Sequence, residues 1–184
     1  MKRKTAKEIL AESFLELAEK KAVDKITVKD IIENGGYSAA TFYRQFTDKY
    51  DLIAWAYSRD LEQILDQTAN DEKSWKQVLI DAANYYDERR DYLSNLLLNT
   101  SGHDSFVKNM RKINYSCLKK RILQSAGTDR LEQKTEMLIR AYVFGTVQLS
   151  CEWIMGKYEA DAKELAEVYN QALPEQLKNY LYKK

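Results

Sequence analysis

The segment GGYSAATFYRQF, residues 35–46, decides the fold of the N-terminal part of the chain. Its two glycines interrupt a helical pattern over residues 27–34, which begins at Thr27, a good N-cap, and stops at the glycines as helices commonly do. Ser38 is placed to cap a second, very short helix over residues 38–45. A helix, a three-residue turn with glycine and a second short helix form a helix-turn-helix motif.

The second helix of such a motif lies in the major groove of DNA, with its N-terminal residues against the base edges. This placement explains the composition of the segment. Ala39 and Ala40 let the helix approach the bases closely, whereas Phe42 and Phe46 share one face and hold it against the core. Residues 43–45 then point outward, where they can contact DNA. Short helices after glycine turns also occur in ordinary helical bundles, so the spacing alone leaves a purely structural interpretation open.

The composition predicts an all-α chain. There is one proline and there are six glycines in 184 residues, and no run alternates apolar and polar residues with the period of a strand. Residues 1–50 are predicted to form a three-helix helix-turn-helix domain, and residues 51–184 a helical bundle that binds an effector and dimerises. A helix over about 47–68, capped by Thr47, connects the two. The other predicted helices cover residues 4–22, 73–90, 92–100, 104–126, 129–155 and 160–182, the last with a new turn or kink at Pro174.

Several classes of protein are disfavoured. Residues 137–155 are long enough to span a bilayer, but Arg140 and Glu152 are costly in lipid, so a buried helix with one polar stripe is expected. The two cysteines lack the spacing of a metal site or a disulfide framework, which favours reduced thiols in the cytoplasm. No phosphate-binding loop, metal cluster or catalytic triad is visible. The sequence therefore predicts a protein that is not an enzyme and carries no cofactor and no metal.

Residues 26–53, ITVKDIIENGGYSAATFYRQFTDKYDLI, resemble the DNA-binding signature of the tetracycline-repressor (TetR) family. The matching residues are Thr27, Ile31, Gly36, Ser38, Thr41, Tyr43, Phe46, Lys49 and Leu52. Two later segments, RRDYLSNLLL (89–98) and GTVQLSCEWIMGKYE (145–159), resemble the Firmicutes-type C-terminal domain of that family, found for example in regulators of dihydroxyacetone-kinase operons. The resemblance implies a cytoplasmic, ligand-responsive transcriptional repressor that binds a near-palindromic double-stranded operator as a homodimer.

The resemblance also implies roles for single residues. Thr41, Tyr43 and Lys49 would contact phosphates, the two alanines would lie at the base edges, and the start of the supporting helix would lie against the backbone or a base. Gln45 stands where the family often has histidine and can still donate to a phosphate; Tyr37 replaces a small aliphatic residue. The predicted DNA-binding residues are Thr27, Lys29, Ser38, Ala39, Ala40, Thr41, Tyr43, Gln45 and Lys49.

The C-terminal part is predicted to hold an effector site and a dimer interface. Aromatic side chains with a few polar groups between helices can make a small-molecule cavity, although core packing explains the same residues. The candidates for effector binding are Tyr85, Tyr86, His103, Phe106, Met110 and Tyr115. The family's dimer forms through the last two long helices, whose apolar faces are too many for one small domain. The candidates for this interface are Tyr142, Gly145, Leu149, Glu152, Tyr169 and Leu173.

Two alternatives stay open at this point. The C-terminal domain could bind a protein partner instead of a metabolite, or the chain could be a helical small-molecule carrier that does not bind DNA. A closed cavity would favour the metabolite, and a shallow surface with exposed apolar side chains would favour the partner.

Overall fold

The structure, a computed structural model, describes residues 4–69, 74–102 and 105–182, and over these residues it contains helices and no β-strand. The predicted all-α fold is confirmed. The α-helices are α1 (Ala6–Ala18), α2 (Val28–Gly35), α3 (Ala39–Gln45), α4 (Lys49–Ala69), α5 (Trp75–Glu88), α6 (Arg90–Asn99), α7 (Phe106–Ala126), α8 (Gln133–Ile154), α9 (Ala162–Ala172) and α10 (Glu175–Leu181), with a short 3₁₀ turn at Val23–Lys25.

The first three helices and the start of α4 enclose a small apolar core. Leu10 and Phe14 of α1, Ile31 of α2, Phe42 of α3 and Leu52 of α4 are all buried. The predicted cap of α2 is confirmed, because the side chain of Thr27 accepts a hydrogen bond from the amide of Asp30 and the Asp30 carboxylate accepts one in return. The sequence patterns of apolar spacing and capping therefore agree with the packing of this unit.

Two predicted helix boundaries were wrong. Thr47 does not cap α4; the Oδ1 atom of Asp48 accepts hydrogen bonds from the amides of Tyr50 and Asp51 at 2.8 and 2.9 Å, so Asp48 is the cap. The first helix ends at Ala18 instead of about residue 22. The break expected at Pro174 is confirmed, because Leu173 before it is extended and α10 is a separate helix.

The remaining helices form a bundle in which α5 packs along α9, α7 along α8, and α4 along α7. Arg90, at the start of α6, closes one end of α8. Its guanidinium lies 4.1 Å from the ring centroid of Trp153 and donates to the carbonyl oxygens of Trp153 and Ile154 at 2.6 and 3.3 Å. The Trp153 carbonyl also accepts from the amide of Gly156 at 3.0 Å, so Arg90 adds a charged donor to the C-terminal end of α8.

Helix α8 has one buried face and one outward face, as its sequence predicted. Ile139, Val143 and Val147 are buried, whereas Arg140 and Gln148 are exposed. In the part of the chain that the structure describes, no helix combines the length and the apolar character needed to cross a membrane.

Candidate DNA-binding surface and ligand cavities

The turn between α2 and α3 depends on two glycines for different reasons. Gly36 has φ of +69°, a left-handed conformation that ends α2, and the amide of Tyr37 then donates to the carbonyl of Ile32 at 2.9 Å. Gly35 allows close packing instead, since a Cβ atom there would lie 3.4 Å from the Cβ atom of Ser13 on α1. The two glycines together set where α3 starts relative to α1.

A polar network around Ser13 holds α1 and α2 together. The buried Ser13 hydroxyl donates to the carbonyl of Ile31 at 2.7 Å, and the Asn34 amide donates to Ser13 Oγ at 3.1 Å and to Glu16 at 2.9 Å. This network was not predicted from the sequence. Its signal was a serine on the otherwise apolar face of α1, next to Phe14.

Helix α3 presents a narrow outward edge. Phe42 is fully buried, whereas Ala39, Ala40 and Arg44 are exposed and Tyr43 is 61% exposed. Small side chains at the N-terminal end leave the backbone of α3 accessible, and the larger Tyr43 and Arg44 stand one turn further along. A helix with a narrow N-terminal end can bring that end close to the base edges in the major groove of DNA.

The hydroxyl groups at the start of α3 are fixed by capping. Ser38 Oγ accepts a hydrogen bond from the amide of Thr41 at 3.2 Å and lies 3.1 Å from the Thr41 hydroxyl. Thr27, the exposed cap of α2, uses its hydroxyl in the same way. Lys29 is exposed, with its ammonium 3.8 Å from Glu33, and Gln45 is half-buried. Ser38, Thr41 and Gln45 thus belong to α3 or its cap, whereas Thr27 and Lys29 lie at the start of α2, the helix packed against it.

Lys49 is placed differently from what its predicted role requires. Its ammonium donates to the backbone oxygens of Val23, Asp24 and Ile26, at 2.8, 3.3 and 2.7 Å. Burial lowers the pKa of Lys49, although nearby Asp24 works in the opposite direction. An ammonium has three donors, and three carbonyls already occupy them here. Lys49 therefore ties the start of α4 to the loop before α2.

We predict that Lys49→Met lowers the free energy of unfolding by about 1–3 kcal/mol, the usual value for losing hydrogen bonds to a charged group. The salt dependence of DNA binding should hardly change. Lys29→Met is the matched control, because it removes an exposed ammonium, and there we expect unchanged stability and a salt slope lower by about one ion per contact. Urea unfolding and DNA titrations at several salt concentrations measure both quantities. A flatter salt slope for Lys49→Met at unchanged stability would restore its phosphate role.

A stack of aromatic rings and cations fastens α3 to α1 and α4. The rings of Phe42 and Phe46 lie 5.8 Å apart, and those of Phe46 and Trp55 lie 5.7 Å apart, measured between centroids. The ammonium of Lys7 lies over both Phe46 and Trp55, at 5.2 and 5.3 Å. Because Lys7 belongs to α1 and Trp55 to α4, the orientation of α3 follows that of both neighbours.

An apolar cavity of about 80 Å³, here called the interior cavity, lies between α4, α5, α7, α8 and α9. Its lining residues are Leu61, Ile64, Leu65, Trp75, Val78, Leu79, Ala82, Tyr86, Asn114, Leu118, Tyr142, Val143, Thr146, Val147, Ser150 and Tyr169.

Most polar atoms of this cavity already have partners. The hydroxyls of Tyr57 and Tyr86 lie 2.9 Å apart, and the Asn114 amide donates to the Tyr57 oxygen at 2.7 Å. Ser150 Oγ lies 2.5 Å from the hydroxyl of Tyr169. The exception is the indole N–H of Trp75, which is buried and finds no acceptor among the described residues. A buried donor without a partner is costly, so this atom marks a place for a ligand oxygen or a water molecule.

The residues predicted to bind the effector separate into different places. Tyr86 lines the interior cavity. Tyr85 and Phe106 line a second cavity, nearer to α1. Met110 is fully buried and lines neither of these cavities, and Tyr115 lies under the guanidinium of Arg140 at 4.9 Å, on the outer side of α7. His103 lies outside the described residues.

The residues predicted at the dimer interface separate as well. Tyr142, Tyr169 and Leu173 are buried inside the protomer, and the hydroxyl of Tyr142 donates to the carbonyl of Tyr169 at 3.1 Å. They cannot contact a partner chain unless the bundle opens, because their side chains are buried inside the protomer. Gly145 is exposed, whereas Leu149 is half-buried.

Glu152, the remaining predicted interface residue, lies at the edge of the outward face of α8. It accepts hydrogen bonds from Lys157, Gln148 and Tyr158 of its own chain, and these contacts lower its pKa to about 2. Its charge is thus compensated within the protomer.

The outward face of α8 is the more suitable surface for a second protein chain. Met137 is 64% exposed, Phe144 is exposed, and a Cβ atom at Gly145 would meet nothing within 4 Å in the protomer. Val168 adds an exposed apolar side chain on α9. Apolar side chains at these positions gain by being covered.

Both cysteines are free and buried, and burial raises the pKa of Cys117 and Cys151 to about 11. They are therefore thiols at neutral pH and poor nucleophiles. No group of histidine, cysteine or acidic side chains suited to a metal ion occurs within the described ranges.

Comparison with known protein families gives two matches that together cover most of the chain. The family described as "Bacterial regulatory proteins, tetR family" matches residues 10–55. The family described as "Transcriptional regulator C-terminal region" matches residues 73–175. A comparison with curated proteins found no significant match.

Solved structures share the fold along nearly the whole chain. One, the dihydroxyacetone kinase operon activator DhaS, has a TM-score of 0.64 at 20% identity and covers 94% of this chain and 96% of its own. A second, Thermus thermophilus FadR in complex with lauroyl-CoA, has a TM-score of 0.61 at 16% identity and covers 91% and 92%. A third, a regulator from Streptococcus agalactiae, has a TM-score of 0.62 at 16% identity over 91% and 92%.

Proposed function

The chain belongs to the TetR family of bacterial transcriptional regulators, and from this premise we propose how it reads DNA and how its affinity for DNA is controlled. It is a DNA-binding transcriptional regulator, as its sequence predicted. Its family and its fold are those of regulators and not of enzymes. One observation carries the DNA-binding proposal. Helix α3 exposes one edge to solvent, while its opposite face packs against α1 and α4.

We propose that Ala39 and Ala40 lie against base edges, and that Tyr43 and Arg44 flank them at the phosphates. Both alanines are exposed at the N-terminal end of α3, which is the end that enters the major groove. Alanine has no hydrogen-bonding side chain, so direct reading of bases there depends on apolar contacts such as those with thymine methyl groups. Much of the specificity should then come from the shape of the DNA.

The operator should be a near-palindrome. Two copies related by a two-fold axis would place their α3 helices on half-sites about 34–36 Å apart. Selection of bound fragments from the genomic DNA of the source organism, followed by footprinting, should yield two protected half-sites one helical turn or a multiple of it apart. Enrichment of a single unpaired site, or no enrichment above random DNA, would contradict the proposal.

We propose that the homodimer forms through the outward faces of α8 and α9. The support is the outward surface around Gly145, where an added Cβ would meet nothing within 4 Å, next to Phe144, which is 37% exposed beside Arg111 and Arg140. Glycine at the centre of such a face allows two helices to approach closely. The buried Tyr142, Tyr169 and Leu173 would support this face from inside without touching the partner.

We propose that a small, mainly apolar effector with one hydrogen-bond acceptor occupies the interior cavity. The acceptor would meet the indole N–H of Trp75, the buried donor that has no partner. One wall of this cavity is α4, which runs without a break from the DNA-binding unit into the bundle. A ligand that prefers one tilt of α4 would change the separation of the two α3 helices in the dimer.

We predict that effectors found by a thermal-shift screen of metabolites change operator affinity by about 5–150-fold, the usual range for allosteric coupling. Trp75→Phe keeps an aromatic side chain, of smaller size, but removes the N–H, so it should raise the dissociation constants of the hits about 2–10-fold. Calorimetry measures binding by the natural chain and by the variant alike, and Phe106→Leu, outside this cavity, is the control. Hits that bind Trp75→Phe as tightly as the natural chain would contradict the role of Trp75.

A protein partner remains the second candidate because of one surface. Leu97, Leu98, Val107 and Met155 form an open groove between α6, α7 and α8, in which Leu98 is 67% exposed. A screen in which no metabolite changes operator affinity would favour this groove as the regulatory site. In that event Leu98→Asp should abolish regulation in cells without affecting DNA binding by the purified protein.

A further inference from the structure

A second cavity, here called the junction cavity, lies where the DNA-binding unit meets the bundle. Its volume is about 190 Å³, larger than that of the interior cavity. Ala11 and Leu15 of α1 form one wall, and Leu93, Leu96 and Phe106 form another. The hydrogen-bonded pair of Tyr57 and Tyr86 separates the two cavities, since Tyr57 lines the junction cavity and Tyr86 the interior one.

Three donors that line the junction cavity have no hydrogen-bond partner among the described residues. Tyr85 is only 8% exposed, and neither its hydroxyl nor that of Tyr92 is bonded. Arg89 stacks on the ring of Tyr85, with 4.5 Å from its guanidinium carbon to the ring centroid. Its nearest carboxylate is that of the exposed Glu88, at 3.8 Å, which is beyond hydrogen-bonding distance.

The other charged groups of the cavity are already paired. Asp60 accepts two hydrogen bonds from Arg59, at 2.9 and 2.7 Å, and Glu12 pairs with Lys4 at 2.7 Å. Arg89 is the most weakly paired of these charges, because its carboxylate partner Glu88 is 3.8 Å away and 72% exposed. Burial, followed by the nearby Asp60, raises the pKa of Tyr85, so this phenol is a donor at neutral pH.

We propose that the junction cavity binds a small organic carboxylate, held by the guanidinium of Arg89 and the hydroxyls of Tyr85 and Tyr92. A guanidinium presents two parallel N–H groups that match the two oxygens of a carboxylate. The apolar part of the ligand would lie against Leu93, Leu96 and Phe106. The aromatic walls could also attract a cation, but the guanidinium of Arg89 already lies over the ring of Tyr85 and occupies that face.

The junction cavity lies between the DNA-binding unit and the bundle, so a ligand there can affect the angle between them. A ligand in the junction cavity touches α1 of the DNA-binding unit and α4 to α7 of the bundle at once. It therefore binds most tightly at one angle between the two units and shifts the molecule toward that angle. This site is separate from the interior cavity, so two ligands could be bound together.

The test uses benzoate and hexanoate as probes, with benzamide and hexanamide as neutral controls, and calorimetry of the full-length protein as the direct readout. We expect both carboxylates to bind with dissociation constants of about 1 mM or below, and both amides to bind at least about tenfold more weakly. Arg89→Gln should weaken the carboxylates at least about tenfold, and Tyr85→Phe, which keeps the stacked ring, about 2–10-fold. Trp75→Phe should leave them unchanged.

Equal binding of acids and amides, no binding of any probe, or unchanged binding by Arg89→Gln would overturn the proposal. Loss of carboxylate binding in Trp75→Phe would move the site to the interior cavity and overturn it too. If Arg89→Gln unfolds, Tyr85→Phe decides the outcome, because it removes a single hydroxyl that makes no hydrogen bond to the described residues. None of these measurements involves DNA, so failure here is distinct from failure of the proposed regulation.

Discussion

Ala40→Glu is expected to lower operator affinity by at least about 100-fold while the protein stays folded. Ala40 is exposed in the first turn of α3, so a longer side chain has room in the free protein. A carboxylate near the N-terminus of a helix is slightly stabilising, which excludes unfolding as the cause of the loss. Against DNA the same carboxylate meets phosphates and base edges at close range, and such a like-charge contact costs several kcal/mol.

The measurement is a titration of the operator with the variant, alongside a thermal melt. Asn84→Glu is the matched control, because it also adds one negative charge at an exposed helical position, on α5 far along the chain from the motif. The control should bind operator within about threefold of the natural chain. If Ala40→Glu also stays within that range, α3 does not face DNA with its N-terminal edge.

Gly145→Trp is expected to convert the homodimer into folded monomers. A side chain at Gly145 would meet nothing within 4 Å in the protomer, and glycine is a poor helix former, so the substitution should not destabilise α8 itself. In a dimer that uses this face, however, an indole must be accommodated between two closely packed helices, and overpacking of this kind costs about 1–3 kcal/mol on each side. Two copies face each other across a two-fold axis, so the penalty is counted twice.

Sedimentation across a range of concentrations measures the effect, which should be a rise of at least about 100-fold in the dimer dissociation constant. Binding to a full operator should weaken in parallel, because a monomer contacts one half-site. Asn84→Trp serves as the control for adding an exposed tryptophan. A dimer of unchanged affinity in Gly145→Trp would show that the interface lies elsewhere than on this face of α8.

The DNA-binding unit was largely predictable because its signals are local. The caps at Thr27 and Ser38 and the glycine turn act within a few residues of one another. Their geometry is the same in any protein that contains them. The contacts of Lys49 were not predictable, since the family signature places this residue near DNA and says nothing of Val23, Asp24 and Ile26. The three carbonyls come within reach of its ammonium only because the loop before α2 folds over the start of α4.

The C-terminal sites were less predictable because tyrosine serves several purposes. Tyr85, Tyr86 and Tyr115 look alike in the sequence, but one lines the junction cavity, one the interior cavity, and one packs under a surface arginine. Tyr169 was predicted at an interface for its helical spacing, but it is bonded to Ser150 inside the bundle. Periodicity tells which residues share a face and does not tell what that face meets.

The sequence by itself determined that this chain is all helical, that it carries a helix-turn-helix motif with small residues at its reading end, and that it resembles the TetR family. Each of these depends on patterns a few residues long, in which the physical cause is close in the chain. The tertiary structure decided which side chains are left with unsatisfied donors. Helices distant in sequence bury the indole N–H of Trp75 and supply no acceptor for it, and the fold places Arg89 at the junction cavity with the exposed Glu88 as its carboxylate partner, at 3.8 Å. Such relations between distant helices leave no pattern in the sequence.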